Sequence, residues 1–196
     1  MPVALLQEPP LAPPEDLGPY RAADYFAMPD EPRCELIFGR ISMSPSPLRS
    51  HQTIVGALYR RIDAAAVVAS GECQMAPLDV RLADDSVVQP DVIYVSPARR
   101  AILGDRVEGA PDLIVEVVSP GTARRDRGEK LELYARSDVR EYWIVDPEAK
   151  HIEFLQNEGG RFVVTPPERG AIRSRALPGL VVPLVEFWTE IAERLQ

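Results

Sequence analysis

Asp91 and Glu116 are the residues around which chemistry can be built. Asp91 follows Pro90 and opens the apolar run Val92-Ile93-Tyr94-Val95, and Glu116 is the lone carboxylate in Leu113-Ile114-Val115-Glu116-Val117-Val118. An unpaired carboxylate in so apolar a strand is costly, so Glu116 calls for an arginine partner or a cation. Asp91 at the head of a neighbouring strand favours the cation. Downstream, Arg124-Arg125-Asp126-Arg127 leads into a helical pattern with Lys130 near its start. Two carboxylates on adjacent strands hold a divalent ion through hard oxygen ligands, and a nearby ammonium orients water or neutralises charge on a phosphate. The chemistry of that set is metal-assisted hydrolysis of a phosphodiester.

The residues nearby have plainer readings as well. Strand alternation puts Asp112, Ile114 and Glu116 on one face, opposite Leu113, Val115 and Val117. Asp112 is therefore a third acid or, following Pro111, a turn aspartate. Asp126 and Lys130 are four residues apart and share a helix face, the spacing of an ordinary surface salt bridge. It is Glu116 on the preceding strand that points Lys130 towards the reaction, with Asp126 as a cap or lysine-orienting group. His51 lies on the apolar face of its helix, three and four residues before Ile54 and Val55, a usual place for a satisfied core histidine. Glu35 sits beside Leu36 in a strand expected to pack near that helix. His151 has no partner at ligand spacing, and Tyr142 and Trp143 read as strand core.

These residues need a frame. Residues 1–19 are proline-rich and read as a flexible arm, and 20–196 as a single domain. Tyr20 to Met28 is a short helical pattern stopped by prolines. Strand-like runs on either side of Gly39-Arg40 signal a hairpin. Ser46-Pro47 offers an N-cap and first-turn proline for a long helix with the stripe Ile54, Val55, Leu58, Ile62. Cys73 to Leu82 reads as one strand, reversed at Ala83 to Ser86. The Asp91 and Glu116 strands follow, joined by a loop from Ser96 to Ala110. After the Lys130 helix come strands at Glu141 to Asp146, His151 to Leu155 and Arg161 to Val164. An edge strand at Ala171 to Arg175 and a terminal helix from Val182, interrupted at Pro183, complete the chain. That order implies an α/β (α+β) architecture, a mixed sheet flanked by helices.

Composition sets bounds on partners. A 45% hydrophobic, 27% charged chain is an ordinary globular one. A net charge of −8 argues against a surface built for tight, non-specific nucleic-acid binding. It leaves room for a local basic rim, which Arg99, Arg100, Arg124, Arg125 and Arg127 would form, and a cation in the cleft inverts the local field. Cys34 and Cys73 are too few for a disulfide framework or zinc cluster and read as buried thiols. Neither a signal peptide nor a run near the roughly 20 apolar residues of a membrane span is present, so a cytoplasmic location without membrane association is expected.

Several phrases together resemble one family. Pro111-Asp112-Leu113-Ile114-Val115-Glu116-Val117-Val118-Ser119-Pro120, then Asp126 with Lys130, then Glu141-Tyr142-Trp143-Ile144-Val145-Asp146-Pro147, look like the Uma2 family. That family was formerly a domain of unknown function and is placed among the restriction-endonuclease-like, PD-(D/E)xK proteins. Cys34 to Gly39, Met43-Ser44-Pro45, His51 and Gln89-Pro90-Asp91-Val92 fit its N-terminal half, so the likeness spans roughly residues 20–190. The resemblance implies a restriction-endonuclease-like mixed central β-sheet flanked by helices. It also implies an endonuclease using Mg²⁺ or Mn²⁺ on nucleic acid, DNA foremost, and acting as a homodimer. Asp91 and Glu116 match the motif acids and would ligand the metal, helped by the Val117 carbonyl. The third motif position is Val118 rather than lysine, and the resemblance implies that Lys130 takes that role from the next helix. The match also brings His51 and Glu35 into the set of candidate catalytic residues. The family commonly carries an aspartate before the hairpin glycine, where this chain has Phe38. The competing expectation is a non-catalytic interaction module that kept the nuclease fold, favoured by the acidic composition and by the lack of any helix-turn-helix or zinc-finger signature.

Overall fold

The computed structural model describes residues 18–29, 32–44, 46–119 and 121–196. Along the chain run α1 (Ala22–Phe26), β1 (Cys34–Ile37), β2 (Arg40–Met43), α2 (Arg49–Val68), β3 (Glu72–Met75), β4 (Val80–Ala83), β5 (Ser86–Val88) and β6 (Val92–Val95). A 3₁₀ turn (Pro97–Ile102) leads to β7 (Val107–Glu108), β8 (Leu113–Val117), α3 (Ala123–Asp126) and α4 (Glu129–Arg136). Then come β9 (Glu141–Asp146), β10 (His151–Asn157), β11 (Phe162–Val164), β12 (Ala171–Arg173), β13 (Val181–Pro183) and α5 (Leu184–Leu195).

The expected mixed sheet flanked by helices is present. Its six strands lie in the order β11-β10-β9-β8-β6-β3, with β8 and β9 parallel and the other neighbours antiparallel. A second sheet, β2-β1-β5-β4-β7, packs beside it, and β12-β13 form a short ribbon. β8 is central and buried on both faces, which is why it reads as an almost unbroken apolar run. Leu113, Val115 and Val117 turn to the side covered by α2 and α5, joining Ile54, Leu58, Ile62 and Phe187 in one core. Ile114 turns the other way, joining Ile93, Ile144, Leu133 and Tyr134 in a second core under α4. Glu116 follows the same alternation and emerges on the α4 side. A third cluster joins α1 to the hairpin through Ala22, Tyr25 and Leu36.

Several local expectations change. The run from Cys73 to Leu82 is two strands in two sheets: β3 pairs with β6, whereas β4 pairs with β5 and β7. Pro77 lies between them and has no N–H to donate to a ladder. The hairpin turn is Phe38-Gly39 rather than Gly39-Arg40, with φ of 50° and 74°, the left-handed pair that a two-residue turn requires. A Cβ on Gly39 would stand 2.1 Å from the Gly18 carbonyl oxygen, so the close approach itself demands glycine. Gly18 and Tyr20 donate backbone hydrogen bonds to the Phe38 and Gly39 carbonyls, so residues 18–20 meet the fold at this turn. Residues 1–17 of the expected arm lie outside the described residues. Leu48, in extended conformation, is the N-cap of α2, and Pro47 precedes it instead of occupying the first turn. Pro183 likewise caps α5 after ending β13. Among the described residues no helix is long and apolar enough to cross a membrane.

Candidate active site

The antiparallel register of β6 on β8 pairs Val92 with Val115 and Ile93 with Ile114, and its next step sets Asp91 against Glu116. Both side chains line a cavity of ≈ 160 Å³. Lys130, His51 and Glu35 line the same cavity, so all five residues singled out for chemistry meet in one place. Asp112 does not join them. Its buried carboxylate accepts a hydrogen bond from the Ser96 amide and lies 2.7 Å from the Arg140 guanidinium, tying the start of β8 to the loop after β6.

Lys130 is the hub. It is 5% exposed, and its Nζ lies 2.9 Å from Glu116 Oε1, 2.9 Å from Glu35 Oε1 and 3.7 Å from Asp126 Oδ1. The surface salt bridge suggested by the Asp126–Lys130 spacing is therefore a buried contact. The two residues do not share a helix: Asp126 ends α3, and Gly128, at φ −121° and ψ −97°, breaks the chain before α4 begins. Tyr134, one turn beyond Lys130, donates to the same Glu116 oxygen at 2.7 Å. Tyr142 packs edge-on against Tyr134 and donates to the Asp126 carbonyl, fixing the end of α3. Glu35 is held from β1 by the Gln89 amide at 2.9 Å and faces Arg125 at 3.5 Å.

The protonation states follow from crowding. Burial opposes the Lys130 charge, but Glu116, Glu35 and Asp126 outweigh it and hold the ammonium above the ordinary lysine value. Burial raises Glu116 well above the usual carboxylate range. Lys130 pulls it down, while Asp126, Asp91 and Glu35 push it up again. Asp126 is also raised, by burial first and then by Glu35 and Asp91, against Lys130 and the Thr122 hydroxyl. On the opposite wall, His51 Nε2 stands 3.2 Å from Asp91 Oδ2, which also accepts from the Val117 amide at 2.7 Å. Burial lowers the His51 pKa, yet Asp91 and the Val117 backbone reverse the effect for a net rise. His51 Nδ1 is buried, with no hydrogen-bond partner among the described residues.

The expected basic rim is thinner than the arginine count suggested. Arg99 is engaged by Asp112 and Asp138, and Arg127 by Asp146 and Glu153, pairings set by tertiary contacts that no local spacing encodes. Arg125 does line the cavity, and Arg124 and Arg100 are exposed. Three contributors escaped the sequence: Tyr134, Gln89 and Arg33. Tyr134 had a signal, its four-residue spacing from Lys130. Gln89 acts on Glu35 through its backbone amide, for which side-chain identity carries no signal.

The donor set fits a hard divalent cation. Glu35, Glu116 and Asp126 crowd around the Lys130 ammonium, Asp91 lines the same cavity, and burial with mutual repulsion raises the pKa of Glu116 and Asp126. Among the described residues, Asp91 Oδ1 and Glu116 Oε2 accept no hydrogen bond from the protein, which leaves one oxygen on each. No three His, Cys, Asp or Glu side chains of the described residues stand ready as a metal cage. A backbone carbonyl or water would have to complete the shell, as hard divalent ions commonly accept.

Comparison with known proteins bears on family and fold. The family Uma2, described as "Putative restriction endonuclease", matches residues 22–185. A crystal structure of a "putative nuclease" from Anabaena variabilis superposes with a TM-score of 0.75 at 16% identity, covering 88% of this chain and 99% of that one. At that identity the likeness is one of fold. A comparison with curated proteins gives no match.

Proposed function

The chain belongs to the Uma2 family, and we propose that it is a divalent-metal-dependent endonuclease that hydrolyses phosphodiester bonds in nucleic acid, DNA foremost. The observation that carries this reading is the convergence of Asp91, Glu116 and a buried Lys130 on one cavity. In it Asp91 and Glu116, helped by the Val117 carbonyl, would hold Mg²⁺ or Mn²⁺. When bound, such an ion would supply charge neutralisation for the phosphate and a more acidic water. Lys130, kept as an ammonium by its carboxylate neighbours, acts as a fixed positive charge that orients water and stabilises developing negative charge, not as a base. Glu35, anchored by the Gln89 amide, and Asp126 set where that ammonium sits. His51, 3.2 Å from Asp91 on the cavity wall, is placed to pass a proton to the leaving oxygen. Exposed Arg124 and cavity-lining Arg125 contact phosphates on the approach. A homodimer in the cytoplasm would bring two such cavities to a duplex, as cutting both strands requires.

One observation favours a second reading. Lys130 already pairs with Glu116 and Glu35, a closed buried network that would suit an interaction module with a retained nuclease fold. Calorimetric titration of Mn²⁺ into wild type and Asp91→Ala separates the two. The nuclease reading expects binding in wild type and its loss in the variant. The interaction module expects none in either.

A further inference from the structure

Beside the metal-binding cavity lies a second one of ≈ 370 Å³, and the two share Arg33, Pro77 and Gln89 in their walls. Its volume falls within the roughly 300–1,000 Å³ of small-molecule pockets. Tyr25 and Phe26 from α1 form one side, their rings edge-to-face at a centroid separation of 5.3 Å. The Arg106 guanidinium packs 3.8 Å from the Phe26 ring centroid and braces it. Asp79 and the Gln89 side chain supply the polar groups. Asp79 Oδ1 accepts from the Tyr25 hydroxyl at 2.9 Å and from Gln89 Nε2 at 3.0 Å, so the carboxylate is fixed in place. The same hydroxyl lies 3.2 Å from the Cys34 carbonyl, and burial followed by Asp79 raises its pKa, which keeps it a donor. Among the described residues, Asp79 Oδ2 accepts no hydrogen bond and the Arg33 guanidinium makes no ion pair.

We propose that this second cavity is a nucleobase pocket that takes the unpaired base next to the scissile phosphate and prefers bases with an exocyclic amino group. This inference rests on the nuclease reading above. An aromatic wall suits a base because every base offers a π-face. Arg33, at the edge common to both cavities, is placed for the phosphate that links the held base to the reacting one. An ionised carboxylate is acceptor-only, so Asp79 Oδ2 pairs with an amino group such as cytosine N4 or adenine N6. Thymine and uracil offer a single N–H between two carbonyl oxygens, which a fixed carboxylate repels. The pocket therefore reads a base whose pairing edge is free, as in a single strand or an extruded nucleotide.

The test is fluorescence anisotropy of labelled single-stranded hexamers on the full chain in Ca²⁺: deoxycytidine, thymidine, and N4,N4-dimethyldeoxycytidine. The deoxycytidine hexamer should bind about tenfold more tightly than thymidine, the scale of one hydrogen bond to a charged group. The dimethylated hexamer, which has lost its donors, should fall to the thymidine level, and this arm needs no protein variant. In Asp79→Asn the side-chain amide replaces the free oxygen with a donor, so the preference should vanish or reverse, with metal affinity unchanged. Binding without base preference, or a preference that survives dimethylation, overturns the pocket and leaves the nuclease reading standing. No binding of any hexamer, together with no metal-dependent cleavage, removes the nuclease reading and the pocket with it.

Discussion

Replacing Lys130 by methionine should unfold the site from within, and the geometry sets the scale. At an effective dielectric of about 20, each 2.9 Å contact to Glu35 and Glu116 is worth about 6 kcal/mol and the 3.7 Å contact to Asp126 about 4 kcal/mol in gross attraction. Desolvation of the ammonium and repulsion among the three carboxylates offset most of that sum. Removing one partner of a buried ion network nets about 3–5 kcal/mol of destabilisation. That is a large share of the roughly 5–15 kcal/mol that holds a domain folded. The loss depends on pH with a definite sign. Lys130 has a folded pKa above its unfolded value, so its stabilisation is fully present below about 10.5. Glu116 and Asp126, left behind in burial without the ammonium, keep folded pKa values pushed up. Their cost therefore grows as pH rises above the unfolded carboxylate value near 4 and disappears below it. Urea denaturation of wild type and Lys130→Met at pH 7.5 and pH 5 reads both effects, with turnover lost at both. A deficit of about 3 kcal/mol or more at pH 7.5 that shrinks at pH 5 is expected. Equal stability of the two proteins at pH 7.5, or a deficit that ignores pH, would refute the buried network.

Two further outcomes concern titration. The His51 imidazole should titrate above the usual value of about 6.5 in metal-free protein. Its stabilising contribution is thus present below that value and lost as pH rises through the folded pKa. Added Mg²⁺ competes with the imidazolium for Asp91 and should lower the pKa; imidazole NMR, simplified by the presence of only two histidines, would expose an unmoved titration. Because burial raises the pKa of Glu116 and of Asp126, Mn²⁺ should displace protons and bind more tightly as pH rises. Calorimetry in buffers of different ionisation enthalpy counts those protons, and a pH-independent affinity with no release contradicts the raised pKa values.

Much of the frame was legible because burial leaves periodic marks. The apolar run around Glu116 announced a central strand, since a strand covered on both faces admits no polar alternation. Glu116 stood out because it broke that run, and its partner Lys130 because a helix followed at once. The stripe Ile54, Val55, Leu58, Ile62 identified the face of α2 that meets the sheet. What stayed hidden depended on contacts between distant segments. Cys73 to Leu82 looked like one strand because both halves are apolar, and only the pairing partners divide them. Arg99 and Arg127 looked free because Asp138 and Glu153 lie far along the chain. Asp126 looked like a helix neighbour of Lys130 because Gly128 alone does not announce a break. The second cavity gave no sequence signal at all. It joins Tyr25 to Asp79 and Gln89 across more than fifty residues.

The most direct measurement is cleavage itself. Purified protein would be incubated with supercoiled plasmid, single-stranded DNA and RNA, each with Mg²⁺ or Mn²⁺, beside Glu116→Ala and a chelator control. Cleavage of at least one substrate is expected with either ion. It should weaken as salt rises, because each neutralised phosphate releases counterions. Chelator should suppress it and Glu116→Ala should lack it. Undiminished cleavage by Glu116→Ala, or no cleavage of any substrate by wild type with either ion, would contradict a metal-dependent nuclease built on Asp91, Glu116 and Lys130.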